Sequence, residues 1–265
     1  MSRFDLHTHT VYCDGKNTPR EMVLAAIEKG FSAIGFSAHA YTDFDERYCI
    51  AKDRVKDYLG DLYKIKEEFR DKIEVLVGFE ADALGKKPEG EYEYLIGSCH
   101  YVFKNGVYYA VDLSLDETKR AINEGFSGDA DAFAEAYFET LATVCRFSPQ
   151  IIGHFDLITK FNDRERLIDT RSPRYIAAYQ KAADTLLACG AAFEVNTGAI
   201  ARGYRKSAYP SDEILGYLLK KGASFVLSGD AHSTEGLGFG FEIEKARLDR
   251  FGITPYDSTA FLKCK

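Results

Sequence analysis

Hydrophobic and polar positions along this chain switch repeatedly between two periods. Short apolar runs at 3–9, 32–39, 73–82, 92–100, 150–154, 191–197 and 223–232 are bounded by turn residues and predict seven strands. Between them lie amphipathic stretches with the 3.6-residue period, predicting helices over 18–30, 52–72, 114–125, 129–147, 172–190, 211–222 and 241–252. The helix at 52–72 places Val55, Leu59 and Leu62 on one stripe. Thr18, Pro19 and Glu21 read as an N-cap, a first-turn proline and the partner of a capping box, and Gly30 as the residue that ends that helix. Asn105–Gly106, inside "YVFKNGVYY", predicts a two-residue hairpin turn.

Strands that alternate with helices favour a parallel sheet with helices outside it. Local pattern does not separate an open doubly wound sheet from a closed barrel, but the placement of polar residues does. All six histidines (His7, His9, His39, His100, His154 and His232) fall at the C-terminal end of a predicted strand. Glu80 and Asp230 join them there, and Asp82 continues the face of Glu80. In an α/β barrel these ends share one rim. In an open sheet the outer strands would lie too far apart for so many ends to meet. The pattern therefore favours a closed or nearly closed barrel with its site at that rim. No repeat, low-complexity segment or linker interrupts the chain, so residues 1–265 are expected to form a single barrel domain.

In "DLHTHT", residues i and i+2 of a strand point the same way, so His7 and His9 can grip one cation while Thr8 points away. "DAH" repeats the device with Asp230 and His232. Imidazole and carboxylate donors suit zinc, manganese and iron. These donors outnumber what one tetrahedral ion uses, so two or three divalent ions are expected, with Glu80 free to bridge. Asp14, in "CDG", is a further candidate ligand. Cys99 lies beside His100 and points to the opposite side of its strand, into the core.

Composition narrows the partners. The chain has 265 residues and a formal net charge of −7, which disfavours a long nucleic-acid backbone but allows a local basic pocket. Cysteines at 13, 49, 99, 145, 189 and 264 show no C-x-x-C pair and read as free thiols. No basic and apolar leader pattern opens the sequence and no apolar run approaches membrane-spanning length, so a cytoplasmic location away from membranes is expected. Oligomeric state has no signature.

These motifs together resemble the polymerase-and-histidinol-phosphatase (PHP) superfamily: "DLHTHT", "FSAHA", the strand ends at Glu80, His100 and His154, and "SGDAH", in order from residue 5 to residue 232. Within it the stretches "HTHTVYCDG", "GHFDLITKF" and "EVNTGAIARGYRKSAYPSDEIL" are most similar to stand-alone histidinol-phosphate phosphatases. The resemblance implies a distorted (β/α)7 TIM-like barrel with a trinuclear metal centre. His7, His9, Glu80 and Asp230 would hold one ion, Glu80, His100 and His154 a second, and His39, His232 and Asp14 a third. This chain departs from the family pattern at Asp14, where many relatives carry a histidine, and at Ala38, where an acid is common.

The implied activity is metal-dependent phosphomonoester hydrolysis, with histidinol phosphate as the favoured substrate and a metal-bridging hydroxide attacking phosphorus. No G-x-S-x-G nucleophile motif competes with that reading. Arg202, Arg205 and Lys160, in loops at the same rim, are the candidate phosphate-binding residues, because a guanidinium fork suits phosphate oxygens. Asp230 and His232 are the candidate catalytic residues for protonating the leaving oxygen. Three other readings stand beside this one: a phosphoesterase of nucleotides or other small phosphorylated metabolites, an amide or lactone hydrolase, and a non-catalytic metal-binding scaffold. The arginine loop speaks against the neutral substrates, and the full donor set against the scaffold.

Overall fold

The computed structural model describes residues 3–263. Nine strands are present among them: β1 (Phe4–Asp5), β2 (Ala33–His39), β3 (Glu74–Asp82), β4 (Tyr94–Ser98), β5 (Tyr101–Lys104), β6 (Val107–Ala110), β7 (Ile151–Ile152), β8 (Ala192–Asn196) and β9 (Phe225–Ser228). Seven form one sheet of order β1-β2-β3-β4-β7-β8-β9, every neighbouring pair parallel. Thr8 and Ala231 make a parallel bridge beyond the ends of β1 and β9 and bring the two edges of this sheet together. The result is the nearly closed seven-stranded barrel expected from the sequence. Strands β5 and β6 form a separate antiparallel hairpin, with Asn105 and Gly106 both at positive φ in its turn.

Eight α-helices accompany the strands among the described residues: α1 (Pro19–Glu28), α2 (Val55–Phe69), α3 (Leu115–Arg120), α4 (Ala130–Ala142), α5 (Pro173–Ala188), α6 (Gly198–Ala201), α7 (Asp212–Lys220) and α8 (Phe241–Phe251). The Thr18 hydroxyl accepts from the Glu21 backbone N–H at 3.3 Å, and the Glu21 carboxylate accepts from the Thr18 N–H at 2.8 Å, completing the capping box. The stretch expected as one helix at 114–125 is regular only through Arg120 and then widens into a looser turn over Ala121–Gly125. The helix expected over 129–147, by contrast, tightens after Ala142.

The barrel interior is filled by Phe4, Leu6, Leu76, Tyr94, Ile96 and Val226, among others. Tyr94 is the largest of these, and its hydroxyl donates to the Leu6 carbonyl at 2.6 Å. A Cβ at Gly35 or Gly78 would stand 2.5 Å from that ring or its oxygen, so both positions must lack a side chain. Larger apolar clusters lie between the sheet and the helices, as a barrel with an outer helical ring requires.

The cysteines depart from expectation. Cys145 and Cys189 are joined in a disulfide, with Cα atoms 5.8 Å apart. The turn that follows α4 meets the C-terminal end of α5 there, a meeting that a sequence separation of 44 does not announce. Cys13, Cys49 and Cys99 are free thiols, Cys99 fully buried as expected, and Cys264 lies outside the described residues. No helix among the described residues is long and apolar enough to cross a membrane.

Candidate metal centre and substrate cleft

The way the barrel closes sets the site. The Ala231 N–H donates to the His7 carbonyl at 3.0 Å, and the His9 N–H donates to the Ala231 carbonyl at 2.8 Å. This ladder places Asp230 and His232 beside His7 and His9, so the two i, i+2 pairs face one another across the seam. Thr8 points outward and donates to the Gly35 carbonyl at 2.7 Å. Asp230 has φ +47°, a backbone conformation uncommon for a residue with a side chain.

Around this seam the donors gather. His7 Nε2 and His9 Nε2 lie 3.2 and 3.6 Å from Glu80 Oε2, and 3.7 and 3.3 Å from Asp230 Oδ1. Glu80 Oε1 faces His154 Nε2 at 3.0 Å and His100 Nε2 at 3.4 Å. Asp14 Oδ2 is 3.2 Å from His232 Nε2 and 3.7 Å from His39 Nε2, and Asp14 Oδ1 is 3.7 Å from His9 Nδ1. His39 Nδ1 reaches Glu80 Oε2 at 2.9 Å. Four overlapping groups of three or four of these residues offer ligand atoms all within 4.8 Å of one another.

The donor set fits divalent cations. His7 Nε2, His9 Nε2 and Glu80 Oε2 are buried and make no hydrogen bond among the described residues, although they converge on one point. Buried polar atoms without partners are costly, and a cation at their focus would satisfy all three. The donors are nitrogen and oxygen only, as zinc, manganese and iron accept. Charge agrees with this. Burial alone would raise the Glu80 carboxyl, yet the imidazoles of His7, His39 and His100 hold it well below the usual carboxylate range. Burial likewise opposes ionisation of Asp230, but Arg202 and His7 hold it low. His9 is pushed down to about 3 by burial and by His232 and His39, which keeps its imidazole neutral and able to ligate.

Beside the cluster opens a cleft of about 420 Å³. Arg202 and Lys160 line it, together with Asp112, Tyr48, Tyr101 and Tyr204. Arg202 donates to Asp230 Oδ2 at 2.9 Å and to the Asp230 carbonyl at 2.8 Å. The Lys160 ammonium donates to Asp112 at 2.9 Å. Arg205 is not brought into the cleft. Its guanidinium is buried over the Tyr209 ring, donates to Thr159 Oγ1 at 2.8 Å and lies 3.8 Å from Asp156. A buried carboxylate and a hydroxyl on the loop after β7 take up the fork that the sequence had left free.

Supporting carboxylates complete the site. Asp82 accepts from the His100 backbone N–H at 2.7 Å and lies 3.4 Å from its Nδ1. Sequence reasoning missed two others. Asp5 Oδ1 accepts from the backbone N–H groups of His7 and Gly229, tying β1 to the end of β9. Glu194, on β8, lies 2.6 Å from His7 Nδ1 through Oε1. A signal existed in each case: Asp5 shares the period-2 face of His7 and His9, and Glu194 is an acid in the middle of the apolar run "AAFEVNT".

A parallel barrel whose strand ends converge six imidazoles and several carboxylates beside a partly basic cleft has the architecture of a metal-binding barrel. The PHP domain profile matches residues 5–198, and this chain belongs to the PHP domain family. Among its relatives is a Schizosaccharomyces pombe protein named "Probable histidinol-phosphatase", 26% identical over 94% of this chain and 86% of its own length. The histidinol-phosphatase of Bacillus subtilis is 24% identical over 91% of this chain and 98% of its own. The crystal structure of histidinol phosphate phosphatase from Lactococcus lactis, in complex with zinc, L-histidinol and phosphate, superposes with a TM-score of 0.72. That match covers 96% of this chain and 95% of the other at 17% identity, and shares the fold.

Proposed function

We propose that this protein is a metal-dependent phosphomonoesterase acting on histidinol phosphate. The observation that carries the reading is Glu80, a buried carboxylate within 4 Å of five imidazoles, three of which line a cleft together with Arg202 and Lys160. The relatives' names supply the choice of substrate.

His7, His9, Glu80 and Asp230 are assigned to one divalent ion, and Glu80, His100 and His154 to a second. His39, Asp14 and His232 are assigned to a third. When bound in such a centre, zinc, manganese or iron neutralises phosphate charge and lowers the pKa of water. The chain's own groups do the rest. Arg202 lines the cleft and directs its guanidinium to the cluster, where it meets a phosphate oxygen. Lys160, beside it, contributes positive charge tempered by Asp112. Arg205 has no contact in this scheme. For protonation of the leaving oxygen, His232 is the more open of the two candidates, its side chain 23% exposed against 7% for Asp230, and in both residues metal ligation competes with that role. Residues 1–265 are taken as one barrel unit, because the last strand returns to the first at the site itself. The compartment proposed is the cytoplasm, and cell fractionation tests it.

The deciding assay presents the metal-loaded enzyme with histidinol phosphate, mononucleotides, other small phosphate esters, amides and lactones. The expected result is phosphate release with histidinol phosphate preferred. Turnover confined to an amide or lactone, or none with any ester in zinc, manganese or iron, would refute the reading.

A further inference from the structure

We propose that Glu194 is a positioning residue: it fixes the His7 imidazole with its proton on Nδ1 and so leaves Nε2 unprotonated toward the metal centre. The proposal rests on the reading of His7 as a ligand and goes beyond it, because nothing in the sequence motifs assigns Glu194 a role.

Glu194 is 1% exposed and has four hydrogen-bonding partners. Oε1 faces His7 Nδ1 at 2.6 Å and accepts from Ser228 Oγ at 2.8 Å. Oε2 accepts from the His154 backbone N–H at 2.9 Å and from Asn196 Nδ2 at 3.0 Å. A carboxylate suits this place because an ionised acid only accepts. The Asn196 amide cannot turn over without loss, since its Oδ1 accepts from the Gly198 N–H at 2.9 Å. The backbone N–H of His154 cannot turn at all. Both Glu194 oxygens are therefore committed, and the group facing His7 Nδ1 must be an acceptor. The ring then carries its proton on Nδ1, and the lone pair on Nε2 points to Glu80 and Asp230. Nε2 is the atom that lacks any hydrogen bond among the described residues. Carboxylates that hold a ligating imidazole in this way set its tautomer and orientation.

Glu194 also spans several strands. Its partners sit on the ends of β1, β7, β8 and β9, so one side chain aligns His7 and the backbone of His154, which are assigned to different ions. A glutamine of the same shape cannot do this. If its oxygen faces His7, its NH2 meets the His154 N–H and the Asn196 NH2, donor against donor. If it turns over, its NH2 donates to His7 Nδ1 and drives the ring proton onto Nε2.

The test uses the metal-loaded full chain. In wild-type protein with 15N-labelled histidine, His7 Nδ1 is expected to carry the proton and Nε2 none. Glu194→Gln is expected to keep its circular-dichroism spectrum while its affinity for zinc falls about 10–100-fold, with the His7 proton displaced from Nδ1. A purely structural role would alter thermal stability without moving the His7 nitrogen shifts. A His7 protonated at Nε2 in the loaded wild type would overturn the proposal even if the variant failed to fold. So would a folded Glu194→Gln that binds zinc as wild type does. His7→Ala separates the two claims: zinc lost there but retained in Glu194→Gln sinks only the role of Glu194, whereas full zinc content in His7→Ala sinks the ligand assignment itself.

Discussion

At Glu80 a single carboxylate stands within 4 Å of five of the six imidazoles. It is 1% exposed, so its charge is screened by protein groups alone. Glu80→Gln keeps the volume and removes the charge that links two candidate ions. The variant is expected to stay folded, to lose at least one equivalent of metal, and to lose about two to three orders of magnitude in kcat. Metal analysis and phosphate release check this together. Arg202 offers a second residue-scale test. Arg202→Ala removes a charged donor from the cleft and is expected to raise KM for a phosphomonoester about 10–100-fold, the worth of a charge-assisted hydrogen bond. An unchanged KM retires its assignment to phosphate. At this scale the sequence was most informative, since each histidine at the rim declared itself as a polar residue closing an apolar run. Arg205 did not, because its partners Asp156 and Thr159 come from a different loop and only the fold brings them within reach.

Elements carry the site through ties between loops that local pattern does not register. Lys160, after β7, donates to both the carbonyl and the carboxylate of Asp112, after β6. Burial would raise the Asp112 carboxyl, but Lys160 holds it below its ordinary value. A carboxylate depressed in the folded state contributes stability above its unfolded pKa of about 3.9, and that contribution is lost as pH falls through the lower folded value. Lys160→Met is therefore expected to lower stability at pH 7 by about 1–3 kcal/mol. The part of the acid-unfolding slope due to Asp112 should flatten with it, as denaturant titrations from pH 7 down to pH 3 would record. An unaltered slope would mean that the pair adds nothing. The disulfide is a second tie of this kind. Reducing Cys145–Cys189 is expected to cost about 2–4 kcal/mol by freeing a long loop in the unfolded chain, read as a lower denaturation midpoint in reductant. Helix and strand types were legible because apolar period and caps are local. The widened turn after α3, the tightened turn after α4 and the crosslink were not, because tertiary contacts decide them.

Over the whole molecule, closure converts a one-dimensional pattern into a centre. The seven apolar runs alone fitted an open sheet as well as a barrel. The requirement that all their polar ends meet is what selected the barrel, and the Thr8–Ala231 bridge is its realisation. The pattern marked Glu194 and Asp5 as acids within strands but not their partners, which come within reach only when β1, β8 and β9 stand side by side. The central claim is that this closure builds a multi-metal site. Its most direct measurement is anomalous diffraction at the zinc or manganese edge, from crystals grown with that metal. Two or three peaks are expected within ligand distance of His7, His9, Glu80, Asp230 and their neighbours, at least one of them beside a Glu80 oxygen. A rim without anomalous signal, or peaks confined to sites elsewhere on the protein, would contradict the account.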